Sequence, residues 1–423
     1  MRPLLPILLR TLFPERRGSF TFQRQDTPLP SRPEGVSLYV HVPFCRRVCH
    51  FCPYVKQVHD PDTAEAYRDA LLRELERYLQ GGQGAEFESV FFGGGTPSMT
   101  PEIVEAVMSR IRVNLRPATE VGVEVHPLDA RPDRLRALRQ SGVTMVSLGI
   151  QSFDDRTLAV LGRDYDSRTA RAACANAVAE GFKCVDVDLI FALPGQSVEE
   201  VERDVAAAVF AGAGQVSAYP LIRFADTPLD GELRAAGLRL PSRRMQRRML
   251  DAVVRTARRA GYERSSIWSF NRPGAPRYTT VTRDAFLGLG AGATSRLGEW
   301  FTVNTFSVPE YIRVAGNGEP PALATHLNEG DRMAYWLFWR CYDTDIDMAR
   351  FRALFGRDAP RTIRAALALL GLSGMARREG DTVRLTERGA YAFHLIEQAY
   401  THAYLEKLWA ACRREDWPGA VRL

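Results

Sequence analysis

A bilayer-spanning run is missing from this chain of 423 residues. Its N-terminal "MRPLLPILLRTLF" is apolar, but Pro3, Pro6 and Arg10 interrupt it. The stretch is too short to cross a membrane and has no small-residue cleavage site. It reads as a docked or frayed arm, so no membrane partner is expected. A surplus of one charge is missing too. Lys and Arg, mostly arginine, number 56 against 50 Asp and Glu, a formal charge of +6. That permits an anionic ligand and does not demand nucleic acid. An even cysteine set is also missing. Of seven cysteines, Cys174, Cys184, Cys341 and Cys412 are scattered, which argues for a reduced, cytoplasmic protein rather than a disulfide framework.

The last absence is a fourth cysteine beside Cys45, Cys49 and Cys52, in "SLYVHVPFCRRVCHFCPYVK" (Ser37 to Lys56). Three thiolates cannot close a structural zinc site. His41, His50 or His59 can be recruited as a fourth ligand, so a Cys3His zinc site is one reading. The other is an iron–sulfur cluster, normally held by four thiolates. With three, one iron of a four-iron cluster stays open to a small chelating ligand.

What is present is alternation. Strand-like segments begin at Ser37, Ser89 ("SVFFGGG"), Glu120 ("EVGVEVH"), Met145 ("MVSLGIQ"), Cys184 ("CVDVDLIFALP") and Gln215 ("QVSAYPLI"), with helical periods between them. Repeated switching of the period between two and 3.6 predicts six βα units with right-handed crossovers. The expected fold is α/β, a partial (β/α)6 barrel. Cys45, Gly93 to Gly95, Glu124, Gln151 and Asp188 all fall at strand ends, the active face of parallel barrels. The glycine run lets backbone N–H groups approach a charged ligand closely. The expected division is an arm over 1–35, a core with its extension over 36–315, and a mostly helical domain over 316–423, after "GNGEPP". In that last part "MARREGDTVRLTERG" looks like the helix and hairpin of a winged helix.

The C-x3-C-x2-C triad with Phe51 before its last cysteine resembles the radical S-adenosylmethionine (SAM) enzymes. "YVHVPFC", "FFGGGTPS", "VEVHP", "SLGIQSFDDRTLAVLGR", "VDLIFALPGQ" and "FLGLGAGA" narrow the resemblance to the oxygen-independent coproporphyrinogen III oxidase branch. That branch also holds heme chaperones and class C radical methyltransferases. The resemblance runs from Ser37 to about Ser295. It implies a radical SAM barrel with a 4Fe–4S cluster on Cys45, Cys49 and Cys52, two SAM molecules, and an electron donor such as flavodoxin or ferredoxin. The cluster-bound SAM would touch Tyr39, Gly94, Glu124, Ile222 and Thr294. The second would touch Phe51, Gly95, Thr96, Gln151, Arg163 and Asp188. Arg163 can fork onto a carboxylate, Asp188 or Glu124 can accept from an ammonium or a hydroxyl, and Gln151 can do both.

Three activities of the branch compete. The decarboxylase resembling this chain carries a further cysteine where Tyr54 stands. The chaperone carries an H-N-x-x-Y-W segment, of which Asn271 and Tyr278 remain. Class C methylation needs neither, so the expectation is transfer of a one-carbon unit from the second SAM to an unsaturated or heteroaromatic carbon of a small molecule. Tyr54, Lys56 and His126 are the acid–base candidates for it. Trp268, Trp300, Trp336 and Trp339 can wall a flat pocket or belong to the core. A monomer is expected.

Overall fold

The structure, a computed structural model, describes residues 20–25, 35–80, 86–224, 227–279 and 283–423. The apolar arm "MRPLLPILLRTLF" lies outside the described residues. Six parallel strands form the centre: β1 (Val36–Val42), β2 (Phe87–Gly94), β3 (Leu115–Val125), β4 (Met145–Gln151), β5 (Cys184–Phe191) and β6 (Gln215–Pro220). They lie side by side in chain order, each in parallel register with the next. Between them run α1 (Pro61–Gln80), α2 (Pro101–Ile111), α3 (Pro132–Gln140), α4 (Asp155–Val160), α5 (Ser167–Glu180) and α6 (Val198–Phe210). The expected α/β barrel is therefore what forms. Its helix starts follow local chemistry. Asp154 and Asp166 accept from backbone N–H groups at the heads of α4 and α5, and Ser197 with Glu200 forms a capping box on α6.

Alternation along the strands sorts the two faces. Leu38, Val40, Val123, Val146, Leu148, Val185 and Val187 point into the packing between sheet and helices. Their neighbours face the barrel interior. Phe91, Met145 and Cys184 plug its lower end with Tyr278, and above the plug the interior turns polar. Because all six strands run the same way, their C-terminal ends open onto one mouth.

The sheet does not close. β1 is joined on its other side by β7 (Phe286–Leu289), which runs parallel to it, with Gly288 opposite Tyr39. Antiparallel β8 (Thr294–Leu297), β9 (Trp300–Asn304) and β10 (Ala322–His326) follow. Thr21–Arg24 and Val421–Arg422 add the last two strands, so the sheet joins strands from all three expected regions.

Beyond the barrel come α7 (Pro228–Ala235), α8 (Arg243–Arg259) and α9 (Val308–Gly316). A compact unit then runs through α10 (Glu329–Tyr342), a strand at Asp345–Asp347, α11 (Met348–Phe355), α12 (Arg361–Leu372) and a hairpin of Ala376–Glu379 with Thr382–Leu385. That order, with the hairpin as wing, is winged-helix-like. α13 (Glu387–Tyr400), a π turn at Thr401–Leu405 and α14 (Glu406–Arg414) complete it. Glu387 takes a fork from Arg264, and the Ile267 N–H donates to the Tyr342 carbonyl, so the unit leans on the mouth side of β6.

Candidate active site at the barrel mouth

The cysteine loop leaves β1 and returns beneath itself. Phe44–Cys45 pairs in parallel with Gln57–Val58, and the His59 N–H donates to the Cys45 carbonyl at 2.9 Å. Lys56 is folded inward, its ammonium donating to the carbonyls of Cys52 and, at 3.2 Å, Tyr54. Cys45 is buried beside the Thr96 hydroxyl at 3.6 Å. Cys49 lies 3.0 Å from Arg163 Nη1. Burial pushes the Cys45 thiol up to about 12, so a metal must displace its proton. Among the described residues no three His, Cys, Asp or Glu side chains gather around a single-ion site. The three histidines that could complete a zinc site are engaged elsewhere. His41 bonds Tyr39 and the Val55 carbonyl, His50 faces Glu232, and His59 packs edge-on to Phe44. The donor set left is three thiols, which fits a cluster with an open iron.

The glycine run meets this loop from β2. A Cβ on Gly95 would lie 2.7 Å from the Pro43 carbonyl carbon, and one on Gly94, at φ +112°, would strike the His41 ring at 2.4 Å. A side chain at either position would push the cysteine loop away. The Gly94 N–H donates to Glu124 at 3.1 Å. Glu124 is raised to about 7 by burial and then by Asp188, and Asp188 is raised to about 6 by burial. Two acids facing one interior suit a cation more than an anion. Gln151 ends β4 after a register irregularity, at φ +64°, a strained conformation for this residue type that often marks a functional site.

The other expected contacts are placed as follows. Arg163 donates through Nε to Tyr165 and through Nη2 to the Gly149 carbonyl, and each terminal nitrogen keeps one more N–H. Phe51 packs against a small buried cluster that includes Leu161, Ile190 and Leu221. Thr294 opens β8 just after Gly292, where a Cβ would sit 2.4 Å from Val55. Ile222 is half-buried after β6.

The three acid–base candidates do not form one constellation. Tyr54 and Lys56 share the cysteine loop. His126 lies behind Arg163, with Nδ1 accepting from the Leu128 N–H and Nε2 3.4 Å from Asp164. Burial, with Arg163 and Arg46, lowers its pKa to about 3, so it is neutral. Tyr54 is 55% exposed, yet Glu124, Cys52, Asp188 and Glu397 all act on its phenol. Its exposure is therefore to the cleft within the molecule. Burial raises its pKa, so the phenol stays protonated and can donate.

Two features have no counterpart in the sequence reading. Glu74, on α1, is buried and accepts from the Gly290 N–H, Asn304 and Tyr311 at 2.9, 2.8 and 2.6 Å. It fixes the "GLGAGA" turn against the barrel. Its signal was a carboxylate on the stripe of Tyr67, Ala70, Leu71 and Leu75. The second feature is Trp409 of α14, which stacks on Phe224 at 5.8 Å and 21° and lies 6.0 Å from Tyr54 and 6.4 Å from Phe306. The four tryptophans singled out in the sequence fall on the core side of the two alternatives. Trp268 and Trp336 are core, and Trp300 and Trp339 pack on His326 and Phe338.

A family model described as "Radical SAM superfamily" matches residues 39–208. The heme chaperone HemW of Mycobacterium tuberculosis is 33% identical over 321 residues, 71% of this chain and 81% of its own length. The oxygen-independent coproporphyrinogen III oxidase of Bradyrhizobium diazoefficiens is 26% identical over 404 residues, 90% of this chain and 89% of its own. The solved coproporphyrinogen III oxidase (HemN) of Escherichia coli superposes with a TM-score of 0.74 at 21% identity, over 91% of this chain and 98% of that one. These relatives carry heme-pathway names, and their match overturns the expected class C methylation. That expectation rested on two absences, the further cysteine at Tyr54 and the histidine of the H-N-x-x-Y-W segment, and neither absence decides the reaction.

Proposed function

Since this chain belongs to the radical SAM superfamily, in the branch of HemW-type heme chaperones and oxygen-independent coproporphyrinogen III oxidases, we propose that it seats a tetrapyrrole at the barrel mouth. Its cofactors are a 4Fe–4S cluster and SAM. Cys45, Cys49 and Cys52 would hold the cluster, Glu124 would meet the cationic groups of the cluster-bound SAM, and Asp188 those of the second. Together the bound cofactors supply a 5′-deoxyadenosyl radical.

The observation that supports a tetrapyrrole is the wall beside the cysteine loop. Trp409 packs on the buried Phe224, on Phe306 and on the exposed Tyr54, and the Arg413 guanidinium stands 5.8 Å over the Trp409 ring, so an aromatic cluster edged by arginine borders the cleft. A flat macrocycle can stack there, with its anionic side chains toward arginine. Tyr54, two residues after Cys52, can donate to a propionate and hold it near the radical source. The first reading is oxidative decarboxylation of a coproporphyrinogen-type substrate. The second is heme carriage, favoured by the 33% identity to a heme chaperone.

Anaerobically reconstituted protein with SAM, reductant and coproporphyrinogen III should release carbon dioxide and 5′-deoxyadenosine. Trp409→Ala should weaken binding of the macrocycle by about tenfold, the loss of a stacking contact of ~1.5 kcal/mol. The brown chromophore should persist in that variant and vanish in Cys49→Ala. A stoichiometric Soret shift with heme and no carbon dioxide would favour the second reading. No response to either tetrapyrrole would sink both.

A further inference from the structure

Beneath the site, β5 places a second acid, Asp186, one strand repeat below Asp188. One hydroxyl lies between them. Ser147 Oγ is 3.0 Å from Asp186 Oδ2 and 2.9 Å from Asp188 Oδ2. A hydroxyl has a single proton and can donate to only one of them. The other contact needs a proton from the carboxyl side. We propose that Asp186 is a protonated positioning residue, which donates to Ser147 and so aims the Ser147 proton at an ionised Asp188.

The remaining bonds fit this direction. Gln215 Nε2 donates to Ser217 Oγ at 3.1 Å, and Ser217 Oγ donates to Asp186 Oδ1 at 2.9 Å. Ser269 Oγ lies 3.1 Å from Ser217 Oγ and fills its other lone pair. Every donor in the run from Gln215 through Ser217, Asp186 and Ser147 to Asp188 then has one acceptor. Removing the proton would leave two carboxylates on one hydroxyl, and moving it to Asp188 would leave the charge on the deeper acid, since Asp186 is buried and Asp188 half-buried. Among the described residues neither acid forms an ion pair. The main influences on Asp186 are burial, Asp188 and the hydrogen bonds of Ser217, Ser147 and Gln215, and on Asp188 burial and Ser147. Burial and Asp188 raise Asp186 well above the ordinary range, while Asp188, next to the mouth, is raised less. An unpaired second charge at this depth is costly, and a proton is the cheapest way to remove it.

The positioning half of this proposal rests on Asp188 being a SAM contact. The proton half does not. Infrared spectra of the reconstituted protein at pH 8, with and without 13C-aspartate, should show a protonated aspartate C=O band that Asp186→Asn lacks. Asparagine repeats the arrangement, its amide donating to Ser147 and accepting from Ser217. Asp186→Asn should therefore keep SAM affinity within about twofold, while Ser147→Ala should weaken it about tenfold, the worth of one hydrogen bond to a charged group. Absence of the aspartate band in the wild type would overturn the proposal, and that measurement needs no variant to fold. A larger loss of affinity in Asp186→Asn than in Ser147→Ala would overturn the positioning role. If the wild type shows the band but binds no SAM, the assignment of Asp188 fails and the positioning role with it, while the proton assignment stands.

Discussion

Glu124 and Asp188 act on each other across the barrel interior, and each holds its proton more tightly than in water. Both values lie above the ordinary 4.5 and 3.8, at about 7 and about 6. The folded protein therefore binds more protons than the unfolded chain between those limits. Stability from this source is complete below pH ~4 and is lost as pH rises through about 6 and 7. A ligand with an ammonium and a sulfonium reverses the preference, since it favours the ionised acids. SAM should bind more tightly as pH rises from 5.5 to ~7.5 and then level off. Calorimetric titration across that range checks this. Glu124→Gln should flatten the upper part of the rise, and a pH-independent affinity would remove both acids from the site.

At the scale of elements, the strand ends and their polar residues were legible because periodicity locates a strand and chemistry marks its end. Gly94, Glu124 and Gln151 sit at the strand ends where alternation placed them, whereas Cys45 lies beyond the end of β1 and Asp188 in the middle of β5. What alternation could not supply was partnership between distant elements. Glu74 lies on the buried stripe of α1 and ties that helix to the turn after β7 and to α9, a partnership that no local pattern marks. Glu74→Ala leaves a backbone N–H, an amide and a phenol without their acceptor in a dry setting. At ~1–3 kcal/mol each, partly relaxed, the cost should be at least ~3 kcal/mol in chemical denaturation. A loss below ~1 kcal/mol would mean that water reaches the turn. Trp409 escaped notice for a related reason. Its helix packs against a loop more than three hundred residues earlier, and no local pattern announces that contact.

At the scale of the whole molecule, the winged-helix-like unit shares one continuous hydrophobic core with the barrel, and polar contacts reinforce the seam. Arg264 is nearly buried and forks onto Glu387, and the Trp268 ring meets His394 edge-on at 4.2 Å. Removing one partner of a largely buried pair strands the other charge. Glu387→Ala should therefore cost ~2–4 kcal/mol and make the segment around α13 more open to limited proteolysis, with the barrel fragment persisting. Unchanged cleavage would show that the aromatic contacts suffice. The unit's outline was visible in sequence as a helix before a hairpin. Its seat on the mouth was not, because the residues that make the seat are ordinary core types.

That seat also sets an order in time. The cysteine loop is complete early in synthesis, yet Arg413 of α14, which donates to the Pro53 carbonyl at its rim, is made 360 residues later. At ~5–20 residues per second the gap is roughly 20–70 s. Through that interval the loop and the barrel strands that back it can exist without the helix that later covers them. The delivery of iron and sulfide to a deep site thus has an open window built into the chain's own sequence order, one that refolding of the finished protein does not reproduce.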